Sequence, residues 1–159
     1  MEIQNTKHVS DSRTEQIQIL MPEHINGYKR LFGGKLVEWI DIVAGVVARR
    51  HSNKNVTTVS IDNLQFKAPA FVNSTIVLIG KITYVGKTSM EVRVDTFVET
   101  LEGEKTLINK AYLVMVALDD NQIPTPVPRL ILDTDEEKTE WESGIKRSEL
   151  RKTRMLEKY

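Results

Sequence analysis

The sequence predicts an α+β domain in which one antiparallel sheet of five strands curls around a single long helix. Three observations carry that expectation. The first is a helical stretch beginning near Gly33-Gly34 that is apolar over most of its circumference. The second is a run of four β-patterned segments after it, each separated by turn residues. The third is a β-patterned segment before it, which supplies a fifth strand. One very apolar helix and one sheet have no other partner to bury against, so the sheet is expected to wrap the helix. A further helix at the C-terminal end is too polar to belong to that core.

The central stretch runs from Asn26 to Arg50. Between Leu36 and Val47 the only charged residues are Glu38 and Asp41. At about 100° per residue, Leu36, Ile40, Val43 and Val47 form one apolar stripe. Trp39, Ile42 and Val46 widen it past half the circumference. Gly33, Gly34, Glu38, Asp41 and Gly45 share the remaining narrow face. A carboxylate set in so apolar a helix needs a partner or a purpose. Two glycines at the helix start leave N–H groups open to close approach by something negative. Arg49 and Arg50 end the helix, where cations complement its dipole.

Around this helix the elements follow in order. Residues 1–11 are polar and are expected to be loose. Arg13 to Met21 alternates as a first strand, and Pro22 ends it. Residues 22–32 form a loop that delivers Asn26 and Phe32 to the helix. Val56–Phe66 is the second strand, broken by Ala68-Pro69-Ala70. A turn at Asn73-Ser74 leads to the third, Thr75–Tyr84. A tight Gly86-Lys87 turn leads to the fourth, Thr88–Thr100, where Met90, Val92, Val94 and Val98 face one way and Glu91, Arg93, Asp95 and Glu99 the other. Glu102-Gly103-Glu104 turns the chain into the fifth, Leu107–Leu118. Pro124, Pro126 and Pro128 mark an extended exit. Thr134 and Glu137 form a capping box for the last helix, which carries acid at its start and base at its end. Its apolar residues, Trp141, Ile145 and Leu150, are sparse, so it reads as a solvated helix docked by Trp141. The division is a domain over residues 12–132 and a helical extension over 133–159.

Composition narrows the function classes. The 159 residues suffice for one domain, and 22 basic against 22 acidic residues leave no net charge. That balance gives no support for a nucleic-acid or membrane partner. Cysteine is absent, which excludes thiolate chemistry and disulfides. His8, His24 and His51 lack metal-ligand spacing. No N-terminal apolar run reads as a signal peptide, so the expected location is cytoplasmic.

The stretch from Asn26 through Gly33-Gly34 to Asp41 resembles the acyl-coenzyme A thioesterases of the hotdog fold. The resemblance is closest to the bacterial acyl-CoA hydrolases and the brain-type cytosolic acyl-CoA hydrolase. It continues through Ala48-Arg49-Arg50-His51, Val56 to Asp62, Phe66, Val85 to Val92, Val116-Ala117-Leu118-Asp119 and Pro126-Val127-Pro128, over roughly residues 13–132. No single motif decides it; the set in order does. The resemblance implies a hotdog fold, a five-stranded antiparallel sheet wrapped around a long helix. It implies homodimers that merge two sheets, assembled as trimers of dimers, hence hexamers. Relatives with two such domains in one chain hold both halves of the site; this chain has one copy, so it is expected to self-associate with sites shared across the interface. The family's catalytic aspartate falls on Asp41, its active-site asparagine on Asn26 and its oxyanion-binding backbone N–H on Gly34. Lys29 and Arg30 depart from the small or polar residues usual there and make the site mouth more basic.

The implied reaction is hydrolysis of an acyl-CoA thioester to a fatty acid and coenzyme A, with no cofactor beyond the coenzyme A of substrate and product. Asp41 would act as general base for water or attack directly to form an anhydride. Asn26 would hold the water or the carbonyl, and otherwise reads as a turn residue before Gly27. Gly86-Lys87-Thr88-Ser89 looks like the end of a phosphate-binding loop, but a strand follows where that motif needs a helix, so nucleotide hydrolysis is excluded. The turn either holds coenzyme A phosphates through Lys87 and backbone N–H groups or is a hairpin with a solvated lysine. Further substrate contacts are expected at Arg50, Thr58, Ser60 and Lys67; Arg49, Arg50, Lys67 and Arg129 compete with a reading as solvated surface charge. His51, just past the helix, reads as structural. The alternative function is a non-enzymatic acyl-CoA-binding sensor, against which the joint presence of Asp41 and Asn26 argues.

Overall fold

A computed structural model describes residues 5–158. Its centre is helix α2, Gly33–Ser52. Strands β2 (Thr14–Ile19), β3 (Asn55–Phe66), β4 (Thr75–Val85), β5 (Ser89–Glu99) and β6 (Lys105–Leu118) form one sheet in the order β2-β4-β5-β6-β3. All four pairings are antiparallel. Leu36, Ile40, Val43 and Val47 are buried as the stripe requires, against Leu78, Ile82, Val92, Leu113 and Met115. The hotdog architecture expected from the sequence is the one observed.

Close contact between helix and sheet depends on one residue. Gly80 of β4 faces α2, and a Cβ there would lie 2.7 Å from Val43 and 2.9 Å from Val47. Any side chain would hold the helix off the sheet.

Four expectations are corrected. Residues 6–12 are not loose: Thr6–His8 forms strand β1 and Val9–Ser12 a helical turn, α1. Residues 1–4 lie outside the described residues. Strand β1 pairs in parallel with β7, Arg129–Ile131, at the end of the proline-rich exit. The sequence signal was weak because each strand has three residues. Next, Ile42, placed on the wide apolar part of the helix, is half exposed. The first strand is also shorter than the alternation suggested, since Leu20 and Met21 already belong to the turn.

The fourth correction concerns the last helix, α3, Asp135–Glu157. Its capping box is present, with the Glu137 N–H donating to Thr134 Oγ1 at 3.1 Å. Trp141 does pack on Tyr84, ring centroids 4.7 Å apart. Ile145 and Leu150 are exposed, however, and Gly144 is the one buried residue of the helix. Charge does most of the docking. Glu91, only 1% exposed, receives Arg147 at 2.8 Å, Arg151 at 3.0 Å and the Thr83 hydroxyl at 2.7 Å. Arg93 bridges Asp95 and Glu140, and Tyr112 donates to Glu140. Burial, reinforced by Glu140, pushes the Tyr112 phenol up to about 12 against the pull of Arg147 and Arg93. The charged face of β5 is therefore covered rather than solvated.

Candidate active site

The loop 22–32 reaches the start of α2 through a 3-10 turn at Pro22–His24. His24 fastens it in three ways. Its Nδ1 accepts the Met21 N–H at 3.0 Å, its ring stands edge-on to buried Trp39 at 4.9 Å, and its carbonyl accepts the Phe32 N–H at 2.8 Å. Sequence reasoning gave His24 no role, because its partners lie on another element.

Within this loop Asn26 is almost fully committed. Its N–H donates to the Arg30 carbonyl at 2.8 Å, and its carbonyl accepts from Lys29 at 3.0 Å. Its side-chain Oδ1 accepts from the Tyr28 N–H at 2.9 Å and the Arg30 N–H at 3.3 Å. Two donors aimed at that atom fix the amide orientation, since an NH2 turned toward them would face donor with donor. Among the described residues the Asn26 Nδ2 has no partner. It is a donor offered to an outside oxygen.

Helix α2 opens beside this loop without a side-chain cap; its N-cap residue is Phe32. The Leu36 N–H makes the first bond of the helix, to the Phe32 carbonyl at 3.1 Å. The N–H groups of Gly33, Gly34 and Lys35 therefore have no intrahelical acceptor. Gly34 is exposed, and a Cβ on it would collide with the Phe32 ring at 2.7 Å. The glycine leaves that N–H approachable.

Asp41 lies two turns further along and is partly buried. Thr58 of β3 donates its hydroxyl to Asp41 Oδ1 at 2.7 Å. The Met115 sulfur, 3.3 Å from the same hydroxyl, is the weaker acceptor. Among the described residues nothing donates to Asp41 Oδ2. One carboxylate oxygen is held and the other is open. Asp41 and Gly34 are separated by about 10 Å along the helix, at 1.5 Å per residue.

The remaining sequence candidates divide among separate places. Lys67 joins Asn26, Arg30, Leu36 and Phe66 around a cavity of about 320 Å³. Ser60 and Ser89 line a different cavity, of about 520 Å³, between the outer sheet face and α3, together with Glu91 and Arg151. The change of face from Thr58 to Ser60 follows from a register shift between them. Gly86 and Lys87 border a third cleft, with Lys54 and Arg129. There the turn is braced: Gly86 N–H bonds the Ser89 carbonyl, Thr88 O accepts from Ala117, Lys87 O accepts from Val127, and Arg129 Nη2 donates to Gly86 O. Arg50 lies at the far end of α2, donating to Arg13 O and Thr14 Oγ1. His51 is buried, with Nε2 donating to the Pro128 carbonyl at 2.9 Å, and burial holds its pKa below the ordinary value. No helix among the described residues is long and apolar enough to cross a membrane.

Comparison with known proteins adds three findings. The model of the thioesterase superfamily matches residues 28–104. An uncharacterized acyl-CoA thioester hydrolase of Bacillus subtilis is 36% identical over 155 residues, covering 97% of this chain and 90% of its own. Among solved structures, an apo-hexameric acyl-CoA thioesterase superposes with TM-score 0.91 at 39% identity, over 95% of this chain and 97% of the other. The acyl-CoA hydrolase of Staphylococcus aureus, solved with butyryl coenzyme A and coenzyme A, superposes with TM-score 0.92 at 30% identity, over 96% and 94%. That hydrolase has also been solved with alanine replacing an aspartate, an asparagine 15 positions before it, or a threonine 17 positions after it. Asn26, Asp41 and Thr58 stand at those same two spacings.

Proposed function

The chain belongs to the thioesterase superfamily, and from that premise we propose that it hydrolyses acyl-CoA thioesters with Asp41 as general base and Asn26 and Gly34 as oxygen-binding donors. The observation that carries this reading is the pairing of a half-satisfied carboxylate with two unspent donors at a helix start. Thr58 holds Asp41 Oδ1, so Oδ2 is free to take a proton from water. The water oxygen attacks the thioester carbonyl carbon, and the carbonyl oxygen becomes an oxyanion. The Gly34 N–H, at the positive end of the helix dipole, and the Asn26 amide stabilise that charge. Collapse breaks the carbon–sulfur bond. Coenzyme A leaves as a thiolate and recovers the proton from Asp41, while the acid keeps the water oxygen. No metal or redox step enters, and coenzyme A belongs to the substrate and product.

The active unit is a homo-oligomer of dimers working in the cytoplasm. Asn26 offers its amide from a loop ahead of the helix, where a neighbour can reach it, whereas Asp41 is fixed two turns inside the helix. The site takes Asn26 and Gly34 from one subunit and the partner's Asp41. Lys87 and the Gly86–Ser89 turn serve the coenzyme A phosphates.

A thiol-release assay on purified protein tests the activity, and subunit mixing tests the architecture. Asn26→Ala and Asp41→Asn proteins are each expected to be nearly inactive. After random exchange half the dimers are mixed, and half of their sites hold both intact residues, so roughly a quarter of unmodified activity returns under two-fold symmetry. No recovery in demonstrably exchanged mixtures places both residues within one subunit's site.

A further inference from the structure

Two donors meet one oxygen only when the elements that carry them are held together. The Gly34 N–H belongs to α2, whereas the Asn26 amide belongs to a turn that closes on itself. In that turn the Asn26 N–H donates to the Arg30 carbonyl at 2.8 Å, the Lys29 N–H donates to the Asn26 carbonyl at 3.0 Å, and Ile25 bridges Leu31. Asn26 Oδ1 accepts two more N–H groups of the same turn. These bonds stay inside the turn, so they set how Asn26 points within it and not where it sits against the helix. One side of the turn is tied to the segment after β3: the Leu31 N–H donates to the Ala70 carbonyl at 2.8 Å, and Arg30 bridges Phe71. On the other side His24 ties it to α2. The His24 carbonyl accepts the N–H of Phe32, the N-cap residue, at 2.8 Å. The His24 ring stands at 80° to the Trp39 ring, centroids 4.9 Å apart. Trp39 is 5% exposed and lies between Gly34 and Asp41 on the helix. Nδ1, which accepts the Met21 N–H at 3.0 Å, fixes the orientation of the His24 ring.

We infer that His24 is a positioning residue of the proposed site: its ring on Trp39 holds the Asn26 turn where the Asn26 amide and the Gly34 N–H converge on one carbonyl oxygen. The inference rests on the proposed role of Asn26 as an oxyanion donor, since His24 acts through Asn26 and not on the substrate. An edge-on pair of aromatic rings has a preferred separation and angle, so it fixes a distance that a pair of flexible apolar side chains would leave loose. Distance is what the chemistry demands. An oxyanion donor is effective within about 2.7–3.1 Å of the developing charge. A shift of about 1 Å in what carries it costs up to ~10²-fold in rate. That loss falls on the chemical step, where the charge exists, and not on the binding of the coenzyme.

The test is thiol release from the acyl-CoA that the unmodified protein cleaves fastest, with kcat and KM measured separately and each variant shown folded by its melting transition. His24→Ala is expected to lower kcat by about tenfold to a hundredfold, with KM within about twofold. His24→Phe keeps a ring on Trp39 and is expected to recover most of that loss. His24→Asn keeps an acceptor for the Met21 N–H but removes the ring, and is expected to lose nearly as much as His24→Ala. The deciding measurement is the double-mutant cycle with Asn26→Ala. Once the amide is gone its position no longer matters, so His24→Ala is expected to lower the residual kcat by no more than about twofold. A full tenfold loss on the Asn26→Ala background means that His24 acts on the fold at large and overturns the inference. An unchanged kcat in His24→Ala overturns it too, as does recovery by His24→Asn but not by His24→Phe. Should His24→Ala fail to fold, His24→Asn takes its place in the cycle and is read in the same way. Full activity in Asn26→Ala removes the oxyanion role of Asn26 itself, and the His24 assignment with it, whereas a loss in Asn26→Ala beside an unchanged His24→Ala removes the His24 assignment alone.

Discussion

The two faces of the sheet hold a helix by opposite means. On the inner face α2 is sealed by hydrocarbon: Leu36, Ile40, Val43 and Val47 meet the sheet, and the close approach is allowed by Gly80 in the strand. On the outer face α3 is held mainly by charge, and its close approach is allowed by Gly144 in the helix, where a Cβ would lie 2.7 Å from Tyr84 and 3.3 Å from Glu91. Hydrophobic sealing leaves α2 free to carry a reactive group on its narrow polar side, because no apolar contact consumes Asp41. The outer face has the reverse arrangement. Glu91 is the most buried carboxylate of the sheet, and every oxygen it has is taken by Thr83, Arg147 or Arg151. A carboxylate so saturated is a structural clamp, whereas one with a free oxygen can do chemistry.

That contrast gives its sharpest test when the two carboxylates are exchanged for amides. Asp41→Asn is expected to lower turnover at least ~10²-fold, the lower range for a general base, with an unchanged melting transition. Glu91→Gln is expected to do the opposite. Its arginines lose their counter-charge in a largely desolvated place, at a cost of about 3 kcal/mol. Hydrogen exchange would show α3 amides losing protection while turnover at low temperature stays within a few fold. Equal effects of the two substitutions on turnover would erase the distinction between the faces.

The glycines supply the next comparison. Gly80→Ala forces the Val43 and Val47 methyls off their positions in a packed core, and is expected to cost 1–3 kcal/mol by denaturant titration. Gly144→Ala presses on the Tyr84 Cβ and a Glu91 oxygen, yet alanine favours the helix by about 1 kcal/mol. The net loss there is expected to be smaller and confined to α3. A larger loss at Gly144 than at Gly80 would mean that the outer clamp, not the inner seal, limits stability.

A smaller effect concerns pH. His51 is buried with Nε2 bonded, among the described residues its Nδ1 has no partner, and its folded pKa lies below the ordinary value. Below about 6.5 the unfolded chain binds a proton that the folded chain refuses, so stability falls with pH from there down to the folded pKa. Replacing His51 with Gln, which keeps a donor toward Pro128, is expected to flatten that slope in melting curves between pH 7 and 5. An unchanged slope would show that folding does not displace the His51 pKa.

Much of this was legible in the chain itself. The stripe on α2, the turns at Asn73 and Gly103 and the capping box at Thr134 are local patterns, and backbone preference acts over a few residues. Asn73 and Gly103 do adopt positive φ, at 69° and 90°. Gly34 and Asp41 could be singled out for the same reason, since glycines at a helix start and a carboxylate in an apolar run are local anomalies; Asn26 was marked only by the family resemblance, since locally it reads as a turn residue before Gly27. Pairing between distant segments lay beyond such patterns. Thr58 meets Asp41, and His24 meets Trp39, only because the sheet curls and the loop folds back. The alternation of β5 marked Glu91, Arg93 and Asp95 as one face but not what covers it, because α3 has too few apolar residues to announce that it docks. Likewise Ser60 and Thr58 are two residues apart in a strand, yet a single bulge sends one to the α3 side and the other to Asp41. Local sequence sets which groups are available and how each segment bends. Which groups meet is decided by long-range packing, where one extra residue in a strand reverses every side chain beyond it.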